Sequence, residues 1–160
     1  MTIQVGQSLP QSKLKVVSGG EMQDVDSSAL LGSGTVVVFG VPGAFTPTCD
    51  AKHLPGYLAK AGEFAAKGVA TIACFSVNDA FVMKAWAKAS GITGEIVMIA
   101  DGNGDYTRAL GLTLDVRAYG MGERCKRFAL VAKDGVVTQV FVEEGGDFKV
   151  SAAEYVLERL

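Results

Sequence analysis

The stretch Val36–Tyr57, VVVFGVPGAFTPTCDAKHLPGY, decides the fold and most of the chemistry. It opens on an apolar, β-branched run, Val36-Val37-Val38-Phe39, that stops at Gly40 as a buried strand does. A loop follows, Val41-Pro42-Gly43-Ala44-Phe45, and Thr46-Pro47-Thr48-Cys49 then reads as the start of a helix. Thr46 is a favoured N-cap, and Pro47 falls at the first helical position, where proline costs least. Cys49 is then the third helical residue, among unpaired backbone N–H groups at the positive end of the helix dipole. Such a place favours a thiolate over a thiol. Cys49 is therefore read as a reactive sulfur, and not as the small buried hydrophobe that a free cysteine usually is.

Working outward, the helix is expected to run to about Lys67 and end at Gly68, with a kink at Pro55-Gly56. Val69–Val77, VATIACFSV, is continuously apolar, as a strand covered on both faces should be. Asn78-Asp79 caps a helix to about Ser90, Ile96–Ala100 is a third strand, and Tyr106–Leu110 a short helix. Phe128–Ala132 and Val136–Val142 flank Lys133-Asp134-Gly135, a hairpin signal. Ser151-Ala152-Ala153-Glu154 has the spacing of a capping box opening a last helix. Upstream, Leu14–Val17 and the turn at Gly19-Gly20 suggest a strand pair, and Asp26–Leu31 a short helix. Strands alternating with helices, then a hairpin and a helix, predict an α/β fold with a mixed central sheet flanked by helices. That is a thioredoxin-like order with an N-terminal β-hairpin extension.

The 160 residues suit one domain, 1–160, with a sizeable core. Net charge is −2 and no basic run exceeds Arg124-Cys125-Lys126-Arg127, so neither nucleic acid nor an anionic membrane is expected as a partner. No apolar stretch reaches transmembrane length, and MTIQVGQSLP lacks the apolar core of a signal peptide, so a cytoplasmic protein is expected. Cys49, Cys74 and Cys125 are odd in number and widely spaced, with no C-x-x-C pair, and the chain has one histidine. A disulfide scaffold and a metal site are both poorly supplied; reduced thiols, no metal and no cofactor are expected.

Pro42-x-x-x-Thr46-x-x-Cys49 resembles the active-site motif of the peroxiredoxins, thiol peroxidases on a thioredoxin-like fold. VPGAFTPTC followed by KHLPGY is similar to their type II (atypical) subgroup of plants and bacteria, which is linked to glutaredoxin. SVNDAFVMKAW (Ser76–Trp86), ADGNGDYTRALGL (Ala100–Leu112), the RxxRFAL of Arg124–Leu130 and EEGGDF (Glu143–Phe148) extend the likeness in the same order. The resemblance implies reduction of hydrogen peroxide and alkyl hydroperoxides through a sulfenic acid on Cys49. It also implies recycling by an external thiol, glutathione with glutaredoxin or thioredoxin. A homodimer is implied too, joined at the active-site end near Phe45, Phe81 and the Leu112–Cys125 region.

Each residue singled out has an ordinary reading beside the chemical one. Thr46 is a helix cap, yet three residues before the nucleophile its hydroxyl can accept from a peroxide O–H while donating to the thiolate. Pro42 is a turn proline; the resemblance makes it a wall that shields Cys49. A thiolate needs a fixed cation, and the residues alone offer Arg108, Arg117, Arg124 and Arg127 unranked. The resemblance selects Arg127, beside FAL, with Arg124 second in an orienting role. His53 would share a helical face with Cys49 as a Cys–His pair, but Pro55 disturbs that turn and an ionised sulfur needs no base. Cys74 reads as an inert core thiol; the resemblance makes it a candidate resolving cysteine, and none follows position 125. Cys125 and Arg127, two apart in an extended strand, would point to one side. Two other functions compete. Lys52, three after Cys49, argues against a thioredoxin-type C-x-x-C oxidoreductase. The other is a redox sensor or holdase, which would react with peroxide only stoichiometrically.

Overall fold

A computed structural model describes residues 1–160. A hairpin, β1 (Lys13–Ser18) and β2 (Glu21–Asp26), leads into α1 (Ser27–Leu31) and then β3 (Thr35–Val41). A π-helical turn, Cys49–His53, joins α2 (Leu54–Ala59), and α3 (Ala61–Ala66), β4 (Val69–Ser76) and α4 (Ala80–Ala89) follow. Next come β5 (Val97–Ala100), α5 (Asp105–Leu110), β6 (Thr113–Asp115) and β7 (Glu123–Cys125). The chain closes with β8 (Phe128–Lys133), β9 (Val136–Val142) and α6 (Ala153–Leu157). Seven strands form one mixed sheet in the order β2-β1-β5-β4-β3-β8-β9; β6 and β7 pair separately. The parallel contacts are β3–β4 and β4–β5, the crossovers that helices must make.

Both faces of the sheet are covered, which is why its inner strands read as unbroken apolar runs. Alternate side chains of β3 divide between two cores. Val37, Phe39 and Val41 pack with Cys74, Tyr57 and Trp86 on one face. Val36 and Val38 pack with Phe75, Leu110 and Phe128 on the other. Gly40 lies opposite Phe128 in the β3–β8 ladder, and a Cβ there would stand 2.0 Å from the Phe128 ring. The β8–β9 hairpin turns at Asp134 and Gly135, both in the left-handed region (φ 50° and 81°), as the Asp-Gly pair requires. Asp79 caps α4 by accepting from Val82 N–H at 2.8 Å.

Two local expectations are corrected. The helix opening at Pro47 is not a regular one kinked at Pro55-Gly56. Leu54 N–H reaches back five residues to the Cys49 carbonyl, so the widening precedes the proline, and the helix breaks at Lys60 (φ −105°, ψ 9°). Pro55 has no N–H with which to continue the regular ladder, and the π-turn absorbs that defect. The Ser151–Glu154 capping box does not form: the residue before α6 is Ala152, with no side-chain cap. The Ser151 hydroxyl donates to Glu143 Oε2 at 2.7 Å instead. This charge-assisted bond directs the hydroxyl to the Glu143 carboxylate, and no side chain caps the first turn of α6.

Candidate active site

Pro47 and Thr48 are helical, and Asp50 N–H donates to the Thr46 carbonyl at 2.8 Å, so Cys49 sits in the first turn as the spacing predicts. Its side chain is fully buried, in the core that also holds Cys74. The preceding Phe45 has φ 63°, a region a bulky aromatic seldom enters, and this turns the loop back on itself. The Thr46 hydroxyl therefore meets the Gly43 carbonyl and donates to it at 2.7 Å. The expected donation from Thr46 to the sulfur is replaced by this bond, which leaves the hydroxyl lone pairs as acceptors. Asp50, next to Cys49, accepts from Trp86 Nε1–H of α4 at 2.8 Å. Ala44 N–H donates to Asn78 Oδ1 at 3.0 Å, fixing the loop from the other side.

Arg127 occupies the bend between β7 and β8. Its Nη2 donates to Cys49 Sγ at 3.1 Å, and Nη1 lies 2.9 Å from His53 Nδ1. The other arginines are engaged elsewhere. Arg108 pairs with Asp105 and Glu123 and Arg117 with Asp115, all at the surface. Arg124 donates through Nε to Met121 O at 2.8 Å and through Nη1 to Pro42 O at 3.4 Å, so it braces the loop and leaves the sulfur to Arg127. Pro42 is half-buried and lines, with Leu114, Lys126, Arg127, Val142 and Glu143, a cleft of about 440 Å³.

His53 is buried, and its Nε2 lies 3.0 Å from the Ser151 carbonyl, which also accepts from Tyr57 O–H at 2.7 Å. Burial, and secondarily the Arg127 charge, push the His53 pKa down to about 3. The imidazole is neutral and both nitrogens are committed, so it is no free base for Cys49. Ser151 and Glu143 escaped the sequence reading as site residues. Only the EEGGDF string carried a signal for Glu143, and nothing local ties Ser151 to His53.

The other two thiols lie apart in kind. Cys74 stands in β4 between Phe39 of β3 and Met98 of β5, fully buried, and burial holds its thiol well above the usual range. Cys125 belongs to the opposite core, and its Sγ–H donates to the Val41 carbonyl at 3.1 Å. Its expected alignment with Arg127 fails because β7 ends at Cys125 and the chain bends before β8, so strand alternation does not connect them. Burial pushes this thiol up as well. No group of His, Cys, Asp and Glu side chains could hold a metal ion.

The chain that carries this buried first-turn cysteine under a guanidinium is similar to known proteins over nearly its whole length. The Redoxin family pattern matches residues 4–157. Peroxiredoxin-2B of Arabidopsis thaliana is 46% identical over 159 residues, spanning 99% of this chain and 98% of that protein. The chloroplastic Peroxiredoxin-2E of the same plant is 48% identical over 163 residues, covering 99% of this chain and 70% of that one. Reduced Prx3 of Vibrio vulnificus, solved in complex with hydrogen peroxide, has a TM-score of 0.92 at 46% identity, covering 99% of this chain and 96% of that one. Fold and kinship define a thiol-dependent peroxidase on a thioredoxin-like scaffold. The chain belongs to the peroxiredoxins, in their type II branch.

Proposed function

We propose that Cys49 is the peroxidatic nucleophile of this peroxidase and that Arg127 is its fixed cation. The observation that carries this is the 3.1 Å contact of Arg127 Nη2 with Cys49 Sγ. The Cys49 thiolate attacks one oxygen of the hydroperoxide, the S–O bond forms and the O–O bond breaks. Sulfur is oxidised by two electrons to the sulfenic acid, and the leaving oxygen takes up a proton as water or alcohol. Arg127 opposes the negative charge that passes from sulfur to the leaving oxygen. The Thr46 lone pairs accept from the peroxide O–H, and Pro42 keeps bulk water off the sulfur.

An external thiol then attacks the oxidised sulfur, releasing water and leaving a mixed disulfide. A second thiol frees Cys49 by exchange. Glutathione with glutaredoxin is the proposed reductant, and thioredoxin its competitor. The burial of Cys74 in a central strand and of Cys125 in the opposite core supports an external route. A Cys49–Cys74 bond needs Cα atoms within about 7 Å and the sulfurs turned together, which a packed first turn resists. We place the working protein in the cytoplasm as a homodimer, with exposed Phe45 and Phe81 in the contact. No helix is long and apolar enough to cross a membrane.

Intact mass after one equivalent of peroxide tests the cycle. The parent gains one oxygen without glutathione and becomes a glutathione adduct with it, while Cys49→Ser gains neither and loses turnover. Peroxide consumption persisting in Cys49→Ser would move the nucleophile to another thiol.

A further inference from the structure

We infer that Glu143 is a positioning residue for the peroxidase reaction, aiming the Arg127 guanidinium at Cys49 through Ser151 and His53. The inference rests on the Cys49–Arg127 reading above and adds what holds that arginine in place. An arginine side chain has several soft torsions, so a single contact to sulfur through Nη2 leaves the fork free to swing. The second anchor is His53 Nδ1, 2.9 Å from Nη1. Arginine only donates, so Nδ1 must accept; the Ser151 carbonyl only accepts, so Nε2 must carry the proton. One neutral tautomer of His53 fits both partners. A second proton would set N–H against N–H, which agrees with a pKa pushed down to about 3 by burial and by Arg127.

The place of the imidazole, and with it the aim of the guanidinium, therefore follows the Ser151 carbonyl. Glu143 sets that carbonyl. Its Oε2 accepts from Ser151 N–H at 2.9 Å, Ser151 O–H at 2.7 Å and Lys149 N–H at 2.6 Å. These three bonds to one largely buried carboxylate oxygen are charge-assisted and stiff. Glu143 N–H meanwhile donates to the Arg127 carbonyl at 2.9 Å. One residue thus grips Arg127 by its backbone directly and by its guanidinium through Ser151 and His53. Phe148, from the loop that Glu143 ties down, packs edge-on to His53 at 5.1 Å and lies 6.0 Å from the Arg127 guanidinium carbon. A Glu143 that merely anchored its loop would leave the state of His53 and the peroxide rate alone.

The chain has a single histidine, so the ¹⁵N resonances of one imidazole report its tautomer without assignment. In the parent protein they should show protonated Nε2 and bare Nδ1 at neutral pH. In Glu143→Ala that pattern should give way to tautomer exchange. The peroxide rate constant of the reduced enzyme should fall by about tenfold or more, as misplaced catalytic groups do. Glu143→Gln, which keeps an acceptor oxygen in place, should recover much of both. Should Glu143→Ala fail to fold, Glu143→Asp draws the carboxylate back by one methylene and should show the same two changes in milder form. A parent-like imidazole spectrum and peroxide rate in the folded Ala or Asp variant overturns the inference. Peroxide turnover surviving in Cys49→Ser would instead sink the underlying reading while leaving the imidazole spectrum as described.

Discussion

Lowering the pH from 7 to 5 should destabilise this fold chiefly through one side chain, His53. In the folded protein its pKa is pushed down to about 3, first by burial and then by the Arg127 charge, whereas an unfolded histidine titrates near 6.5. Between those values the unfolded chain binds a proton that the folded chain refuses, so stability is complete above about 6.5 and is lost as the pH falls toward 3. Integrated from pH 7 to pH 5, one such proton costs about 2 kcal/mol. The window is clean, because the chain has no other histidine and carboxylates titrate mostly below it. Glu143, held below the usual carboxylate range by its Ser151 and backbone hydrogen bonds against the opposing cost of burial, adds its own acid loss lower still. Urea unfolding followed by circular dichroism at pH 7, 6 and 5 measures the slope in the parent and in His53→Asn. The variant should start less stable, with a flatter dependence across this window. Parallel curves for the two proteins would refute the account of a neutral, doubly bonded imidazole.

Arg127→Ala should slow peroxide attack on the reduced enzyme by an amount equivalent to about 2–4 kcal/mol in stopped-flow measurements, and Arg127→Lys should regain only part. An unchanged rate in Arg127→Ala would remove it from the chemistry. The double variant Cys74→Ser, Cys125→Ser should turn over many times with glutathione and glutaredoxin, and a single turnover would reveal an internal resolving cysteine. Gly40→Ala should destabilise by about 1–3 kcal/mol, since the new methyl group meets the Phe128 ring, and a melting temperature equal to the parent's would contradict that contact. Phe81→Glu should weaken self-association in sedimentation runs, and a strictly monomeric parent at micromolar concentration would defeat the dimer proposal.

The strands were legible because burial on both faces writes itself as unbroken apolar runs, and the turns because Gly19-Gly20 and Asp134-Gly135 need left-handed backbone. Cys49 was legible for a related reason: Thr46-Pro47 is a local signal for a helix start, and position in the first turn follows by counting. What stayed hidden is non-local. The contact of Arg127 with His53 joins residues 74 apart in sequence, and the Glu143–Ser151 bond spans eight residues across a loop that no local motif shapes. The parity argument for Cys125 failed because a bend separates two strands where the letters suggest one. The π-turn at Cys49–His53 answers a proline's missing donor in a way no propensity encodes.

The bond from Trp86 to Asp50 gives the protein a built-in optical gauge. It is the chain's only tryptophan, and its indole N–H is tied to the residue beside the reactive sulfur. Any opening of that turn, whether to meet a bulky thiol or to bend Cys49 toward another cysteine, must release the indole. Emission colour and quenching would then follow each stage of the cycle in an unlabelled sample.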